Sequence, residues 1–159
     1  MKTYSDAALF YKKSILNSSK SVGIHYRDYE HPDTGNIDVK NSMGVIGIDY
    51  YFEAIRIIKE KEKSIQCFVF SNNVALAKKN LRGIENTTFV NYQTDYEWED
   101  MALMSFCNHN IISNSSYGWW SAYLNNNPKK IIVAPKNWGK KITEKKDQED
   151  FFPPEWILI

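Results

Sequence analysis

Two short stretches of the chain carry side chains that could bind an anion. The first is HYRDYEH, residues 25–31, in which Arg27 follows an apolar run and precedes a polar loop. A guanidinium in such a place can hold a phosphate through a forked pair of hydrogen bonds. The second is SNSSYGWW, residues 113–120, where Ser115 and Ser116 precede a predicted helix. Because helix amino termini attract anions, both stretches predict contacts to a phosphate group.

Simpler interpretations of the same residues need no ligand. Arg27 can form an ordinary surface ion pair with Asp28 or Glu30, which follow it in the chain. Serine and asparagine are also the commonest caps of helix amino termini, and a cap needs no bound anion. Residue type and spacing taken alone favour these interpretations, so the two anion sites remain open hypotheses at this point.

The histidines and the common catalytic motifs give no indication of metal chemistry. His25 lies between Ile24 and Tyr26 in an apolar run, the usual setting of a structural histidine. His31 and His109 form no zinc-ligand spacing with it, so no metal is expected. The chain also has no GxGxxG, P-loop, GxSxG or HExxH motif. Spacing alone therefore leads only to a domain with two candidate anion sites.

These side chains need a scaffold, and the hydropathy pattern predicts strands and helices in strict alternation. The alternation indicates an α/β fold, a Rossmann-like parallel sheet with helices on both faces. Ligands of such sheets bind at the carboxyl ends of the strands, where both anion candidates fall. The predicted strands are 21–27, 65–71, 87–92, 110–114 and 130–135, and the predicted helices are 6–16, 48–63, 74–81, 96–109 and 116–125.

Two polar segments interrupt this pattern. Residues 28–44 are rich in Asp, Asn and Gly and predict a long loop, and long loops in compact domains are often functional. Residues 139–150 are mostly charged, and we expect the chain from there to its end to be largely exposed. The loop is of interest because it begins directly after Arg27.

The bulk composition narrows the class of protein. With 159 residues the chain suits one domain, predicted as a lead-in helix at 1–20 and a Rossmann-like domain at 21–159. The net charge of +1 gives no reason to expect a nucleic-acid partner. Cys67 and Cys107 lie in apolar runs and are expected to be buried free thiols. No apolar run suggests a signal peptide or a membrane span, so a cytoplasmic location is expected.

Several motifs together resemble those of one enzyme family. VGIHYRDY is similar to the HxRRxDY motif of the α-1,2-fucosyltransferases, glycosyltransferase family 11. FVFSNN followed by a short helix also resembles the family, as does the ending FFPPEWILI. The longest match is DMALMSFCNHNIISNSSYGWWSAYLNNNPKKIIVAPKNW at residues 100–138. The resemblance covers about residues 20–159.

The resemblance implies the carboxyl-terminal, donor-binding half of an enzyme of GT-B fold, with GDP-fucose held by residues 21–159. Arg27 matches the motif arginine, which is expected to bind the β-phosphate and to act in catalysis, and His25 matches the histidine lining the same pocket. Asp100 matches an acid expected at the guanine edge, and Ser115 and Ser116 match the small residues under the phosphates. Such enzymes invert at the fucose carbon and need neither metal nor cofactor, because the arginine takes the place of the cation.

The same resemblance implies partners and a setting. The donor is a nucleotide sugar and the acceptor a galactoside, in surface-polysaccharide or oligosaccharide synthesis, in the cytoplasm or peripheral to the inner membrane. Family members have a further amino-terminal half that helps to bind the acceptor, so a separate half or a homo-oligomer is an expected partner. The alternative is a truncated, non-catalytic GDP-sugar-binding module or a structural domain.

Two departures from the family pattern affect the site. The family motif has paired arginines followed by glycine, whereas here Arg27 stands alone directly before Asp28, as if Arg-Gly were deleted. Asn72 and Asn73 stand where the family usually has acids. The first departure weakens the expected phosphate clamp, and the second argues against a carboxylate role after the second strand.

Overall fold

The computed structural model describes residues 3–31, 41–94, 96–139 and 150–159. Within these ranges the chain forms one sheet of six parallel strands in the order β3-β2-β1-β4-β5-β6. This order and the parallel pairing confirm the predicted Rossmann-like α/β fold. The strands are β1 (Ser21–Tyr26), β2 (Gln66–Ser71), β3 (Thr87–Phe89), β4 (His109–Ile111), β5 (Ile132–Ala134) and β6 (Ile157–Leu158).

Helices cover both faces of the sheet, as predicted, and the alternation of side chains along β2 shows how. Cys67 and Val69 pack with the helix α2 (Ile48–Lys61) on one face, whereas Phe68 and Phe70 pack with the helices α1 (Asp6–Asn17) and α4 (Trp98–Ser105) on the other. All four side chains are buried, which explains why β2 is a continuous apolar run in the sequence. The helices are α1 (Asp6–Asn17), α2 (Ile48–Lys61), α3 (Val74–Asn80), α4 (Trp98–Ser105) and α5 (Ser116–Tyr123).

Strand β1 has two chemically different faces. Val22, Ile24 and Tyr26 join the core under α2, where apolar side chains fill the space. Gly23 lies on the other face, and a Cβ there would come within 3.0 Å of Asn110 Nδ2 and 3.1 Å of Cys107 Sγ. His25 shares that face, so the strand brings one polar ring to the side on which α5 packs.

The carboxyl-terminal segment differs from its prediction. The sequence predicted five strands and an exposed tail, but the described tail residues 150–159 form a sixth strand beside β5. Phe152 and Trp156 are buried there, and Trp119 of α5 donates its indole N–H to the Phe151 carbonyl at 3.2 Å. A strand of two residues has no periodicity to detect, and its stability comes from these aromatic contacts. The charged residues 140–149 lie outside the described ranges.

Helix α4 is shorter than the predicted 96–109. It ends at Ser105, because Asn110 donates its amide to the Met104 carbonyl at 2.9 Å and His109 already pairs with Val22 in the sheet. The remaining predicted elements are all present, with ends that shift by one to three residues. Cys67 and Cys107 are buried free thiols, as expected.

One further feature concerns membranes. Over the ranges that the structure describes, no helix combines the length and apolarity needed to cross a bilayer.

Candidate functional site

The strand order places a crevice between β1 and β4, where the sheet connections change direction. Ligands of open α/β sheets bind at the carboxyl ends of the strands at this point. Arg27 follows the end of β1, and residues 112–115 link the end of β4 to α5. The two stretches first singled out in the sequence therefore meet at the same edge of the sheet.

A cavity of about 570 Å³ opens at this edge. All five side chains predicted to bind the donor line it, namely His25, Arg27, Asp100, Ser115 and Ser116. His25 lies on β1 and Arg27 directly after it, the two serines lie at the start of α5, and Asp100 lies on α4. The structure thus brings together residues from three elements that are up to about ninety positions apart in sequence.

A second concavity, of about 590 Å³, lies at the opposite edge, where β2 and β3 begin. It is lined by side chains such as Gln66 and Thr87, and none of its described lining residues is ionisable. The first cavity contains an arginine, a histidine and acids, so its groups are the better suited to chemistry.

Arg27 is held by packing and not by an ion pair. Its guanidinium carbon lies 5.7 Å from the centre of the Tyr29 ring, a cation–π contact, and the side chain is half-buried. Among the described residues, no carboxylate forms an ion pair with Arg27, so the surface ion pair expected with Asp28 or Glu30 is not formed. Tyr29 is itself fixed, since its hydroxyl donates to the Asn114 carbonyl at 2.6 Å. The positive charge therefore remains available to a ligand.

Asp28 makes hydrogen bonds that link the segment after β1 to the segment after β2. Its carboxylate accepts from the Asn73 amide at 2.8 Å and from the Glu30 backbone N–H at 2.9 Å. Asn72 exchanges two hydrogen bonds with the Asp28 backbone, at 2.9 and 2.8 Å. The Asn73 oxygen caps α3 by accepting from the Leu76 N–H at 3.1 Å. The two asparagines thus anchor the chain after β1 to the chain after β2, a positioning role.

His25 is buried at the base of the cavity between Ser113 and α5. Its Nδ1 lies 2.8 Å from Ser113 Oγ, and its ring centre lies 5.8 Å from that of Tyr117. A Cβ at Gly118 would come within 2.8 Å of Nδ1, so only glycine fits there. Burial, with a contribution from the Arg27 charge, lowers the pKa of His25 to about 3. The imidazole is therefore neutral near pH 7 and leaves Arg27 as the cation of the site.

The start of α5 faces the cavity with groups suited to an anion. Ser115 occupies the N-cap position, as the capping interpretation expects, but its side chain makes no capping hydrogen bond. The N–H groups of residues 116–118 have no acceptor among the described residues. These N–H groups and the helix dipole give the cavity a positive edge beside Arg27.

Asp100 provides an acceptor on the opposite wall. Its Oδ1 is buried without a hydrogen-bond partner among the described residues. Burial raises the pKa of Asp100, and the negative charge of Glu99 raises it further. The nearby Tyr92 hydroxyl lowers this pKa, although no hydrogen bond joins it to the carboxylate. The exposed ring of Tyr96 lines the same wall. An unpaired carboxylate beside an aromatic ring suits a planar ligand that donates hydrogen bonds.

Comparison with known proteins decides the family. The model of Glycosyl transferase family 11 matches residues 10–159 of this chain. The chain belongs to glycosyl transferase family 11. The resemblance identified from the HYRDY motif and the 100–138 segment is thus confirmed.

Three relatives of this chain are named as glycosyltransferases. The chain is 36% identical over 129 residues to the O-antigen biosynthesis glycosyltransferase WbnK of Escherichia coli, covering 80% of this chain and 42% of the relative. It is 30% identical over 149 residues to an alpha-1,2-colitosyltransferase of Escherichia coli (91% and 49%). It is 28% identical over 144 residues to the human galactoside alpha-(1,2)-fucosyltransferase 1 (87% and 38%). The chain spans less than half the length of each of these relatives.

The fold is shared with a solved enzyme of the GT-B type. The crystal structure of NodZ alpha-1,6-fucosyltransferase soaked with GDP-fucose matches with a TM-score of 0.53 and 17% sequence identity. The match covers 77% of this chain and 42% of that chain. It shows the family 11 chain to have the Rossmann-like architecture of one half of such an enzyme.

Three residues of the site were missed in the sequence and act through contacts between distant segments. Ser113 contacts His25 across 88 positions, and Tyr29 contacts Asn114 across 85. Gly118 is the third, and its signal was visible as a glycine within a predicted helix, where glycine is unfavourable. Ser113 and Tyr29 gave no comparable local signal.

Within the described ranges, no group of three or more His, Cys, Asp or Glu side chains is arranged to hold a metal ion.

Proposed function

We propose that residues 21–159 form the donor-binding domain of an α-1,2-fucosyltransferase, which transfers L-fucose from GDP-fucose to a galactoside with inversion. Surface-polysaccharide or oligosaccharide synthesis is the proposed setting. The observation that carries the proposal is the convergence of Arg27, the α5 amino terminus and Asp100 on one cavity. Arg27 suits one phosphate, the amino terminus of α5 suits the rest of a diphosphate, and Asp100 suits a purine edge that donates hydrogen bonds.

The proposed reaction breaks the bond between the fucose anomeric carbon and the β-phosphate oxygen. An acceptor hydroxyl oxygen attacks the opposite face of that carbon, its proton goes to a base, and GDP leaves with the bonding electrons. Negative charge therefore develops on the β-phosphate, where Arg27 and the first-turn N–H groups of α5 stabilise it. His25 does not serve as the base, because a pKa of about 3 makes it too weak a proton acceptor.

The name of the colitose-transferring relative bears on the choice of sugar. That relative is 30% identical to this chain, close to the 28% of the human fucosyltransferase. The roles proposed for Arg27, the α5 amino terminus and Asp100 concern the phosphates and the base, and none of them concerns the sugar. We therefore propose GDP as the recognised part of the donor and fucose as the sugar to test first, with colitose as its competitor.

Binding without turnover is a second candidate function. Arg27 is the only arginine or lysine among the described residues that line the cavity, whereas the family motif has two arginines. We propose that the acceptor site includes residues outside 21–159, from an amino-terminal half or from a second copy of the chain. This candidate retains GDP recognition and omits transfer.

Two experiments test these proposals. Calorimetric titration with GDP, with UDP as the control for the base, tests donor recognition. A transfer assay with GDP-fucose and a lactoside acceptor, with and without the amino-terminal half of a family 11 relative, tests catalysis. Selective GDP binding with product supports the transferase, and selective binding without product under both conditions supports the binding module. Equal or absent binding of GDP and UDP would refute both.

A further inference from the structure

One ring nitrogen of His25 faces the cavity, and the other faces Ser113. Nδ1 lies 2.8 Å from Ser113 Oγ. Nε2 has no hydrogen-bond partner among the described residues. It is also not fully buried, whereas Nε2 of His109 is both buried and unpartnered. Since His25 lines the cavity, Nε2 is the nitrogen that a ligand can meet. A neutral imidazole carries one proton, so its position decides whether the ligand meets a donor or an acceptor.

The surroundings of Ser113 distinguish the two arrangements. Ser113 is fully buried, and its hydroxyl has no hydrogen-bond partner other than His25 among the described residues. If Nδ1 carried the proton, Ser113 Oγ would accept it, and the serine's own proton would be buried without an acceptor. If instead Ser113 donates to Nδ1, every polar hydrogen of the pair has a partner or faces the cavity. Buried unpaired donors are strongly disfavoured, so the second arrangement is the stable one.

We propose that Ser113 fixes His25 as the tautomer protonated on Nε2, so that the ring presents a neutral N–H donor to the diphosphate beside Arg27. The role toward a phosphate rests on the proposed function, whereas the tautomer is a property of the free protein. The opposite tautomer would direct a lone pair at the anion. Ser113 is thus a positioning residue, acting through His25 and not on the ligand.

Gly118 and Tyr117 support this assignment by restricting the ring. The α5 backbone at Gly118 approaches so closely that a Cβ would lie 2.8 Å from Nδ1 and 3.2 Å from Cγ. The Tyr117 ring packs at 5.8 Å with an interplanar angle of 35°. A ring flip would exchange Nδ1 for a carbon next to the buried serine and leave the hydroxyl unpaired. The packing therefore holds Nδ1 toward Ser113.

The tautomer can be read directly in isotope-labelled protein by long-range proton–nitrogen correlation spectra of the imidazole. In the free wild-type chain we expect the proton on Nε2. In Ser113→Ala both tautomers should appear, and the dissociation constant for GDP should rise in proportion to the lost population of the Nε2-protonated tautomer, about twofold if the two are equally populated. Ser113→Cys, which keeps a weak donor of similar size, should give a smaller change and serves if the alanine variant is unstable.

A double-mutant cycle separates positioning from general packing. His25→Gln keeps an amide N–H donor near the Nε2 position without needing Ser113, so adding Ser113→Ala to it should cause no further loss of GDP affinity. A proton on Nδ1 in the wild-type spectrum would overturn the proposal, and so would an equal loss of affinity in both backgrounds. Failure of the wild-type chain to bind GDP would refute the proposed function and the phosphate role, while the spectrum would still decide the tautomer.

Discussion

Replacement of Arg27 by alanine is the perturbation that tests the site most directly. The guanidinium is half-buried, stacks 5.7 Å from the Tyr29 ring centre, and forms no ion pair with any described carboxylate. A phosphate therefore gains its full interaction without first displacing a protein partner. A hydrogen bond to a charged group contributes about 1.5–3 kcal/mol, so the dissociation constant for GDP should rise roughly tenfold to 150-fold.

The assay is calorimetric titration of wild-type and variant chains with GDP at fixed ionic strength, because salt screens a half-exposed charge. Arg82→Ala is the matched control, since it removes the same charge from an exposed position outside the cavity. Arg27→Lys should recover part of the loss, because lysine keeps the charge but not the forked geometry. Equal losses in the Arg27 and Arg82 variants would show that only net charge matters and would refute the reasoning.

Three further changes probe the rest of the site. Asp100→Asn should abolish the preference for GDP over IDP in titrations. Because folding raises the pKa of Asp100 above its ordinary 3.8, the wild-type fold gains stability as pH falls through the folded-state pKa. The variant should melt higher at pH 7 and show no such gain, as thermal scans at several pH values would reveal. Gly118→Ala should destabilise the fold by about 1–3 kcal/mol in denaturant titrations despite the better helix propensity of alanine, because its Cβ would collide with His25; an unchanged midpoint would contradict that geometry. Asn73→Asp should lower the free energy of unfolding by about 1–3 kcal/mol at neutral pH, because it keeps the cap but replaces a 2.8 Å hydrogen bond to Asp28 with two facing carboxylates. Equal stability of the variant and the wild-type protein would argue against that contact.

The strand and helix order could be predicted because each element carries its own signal. The buried run of β2 and the apolar residues of α2, such as Tyr51, Ala54 and Ile58, mark a buried strand and an amphipathic helix without any tertiary information. Strict alternation then left a parallel sheet as the natural arrangement. The positions of Arg27 and Ser115 at carboxyl ends of strands follow from the same alternation, so the general place of the site was also predictable.

The details that the sequence could not predict depend on contacts between distant segments. Ser115 lies at the N-cap, yet its side chain makes no capping hydrogen bond, and residue type alone cannot distinguish that arrangement from a cap. Strand β6 is two residues long, and its pairing with β5 relies on the burial of Phe152 and Trp156. Local propensity carries no information about such partners, which is why the tail was predicted to be exposed.

The charge distribution of the site explains why a single arginine can suffice for binding a diphosphate. A protonated His25 would add a second positive charge, but burial and the Arg27 charge keep the imidazole neutral at physiological pH. The site instead surrounds one formal charge with neutral donors, namely the first-turn N–H groups of α5 and the nitrogen of His25 that Ser113 leaves protonated. Neutral donors do not repel Arg27 and need no counter-ion in the empty site, so they remain oriented for an incoming anion. The asparagines that bind Asp28 serve the same end, because an acid paired with the guanidinium would neutralise the only full positive charge among the described residues of the cavity.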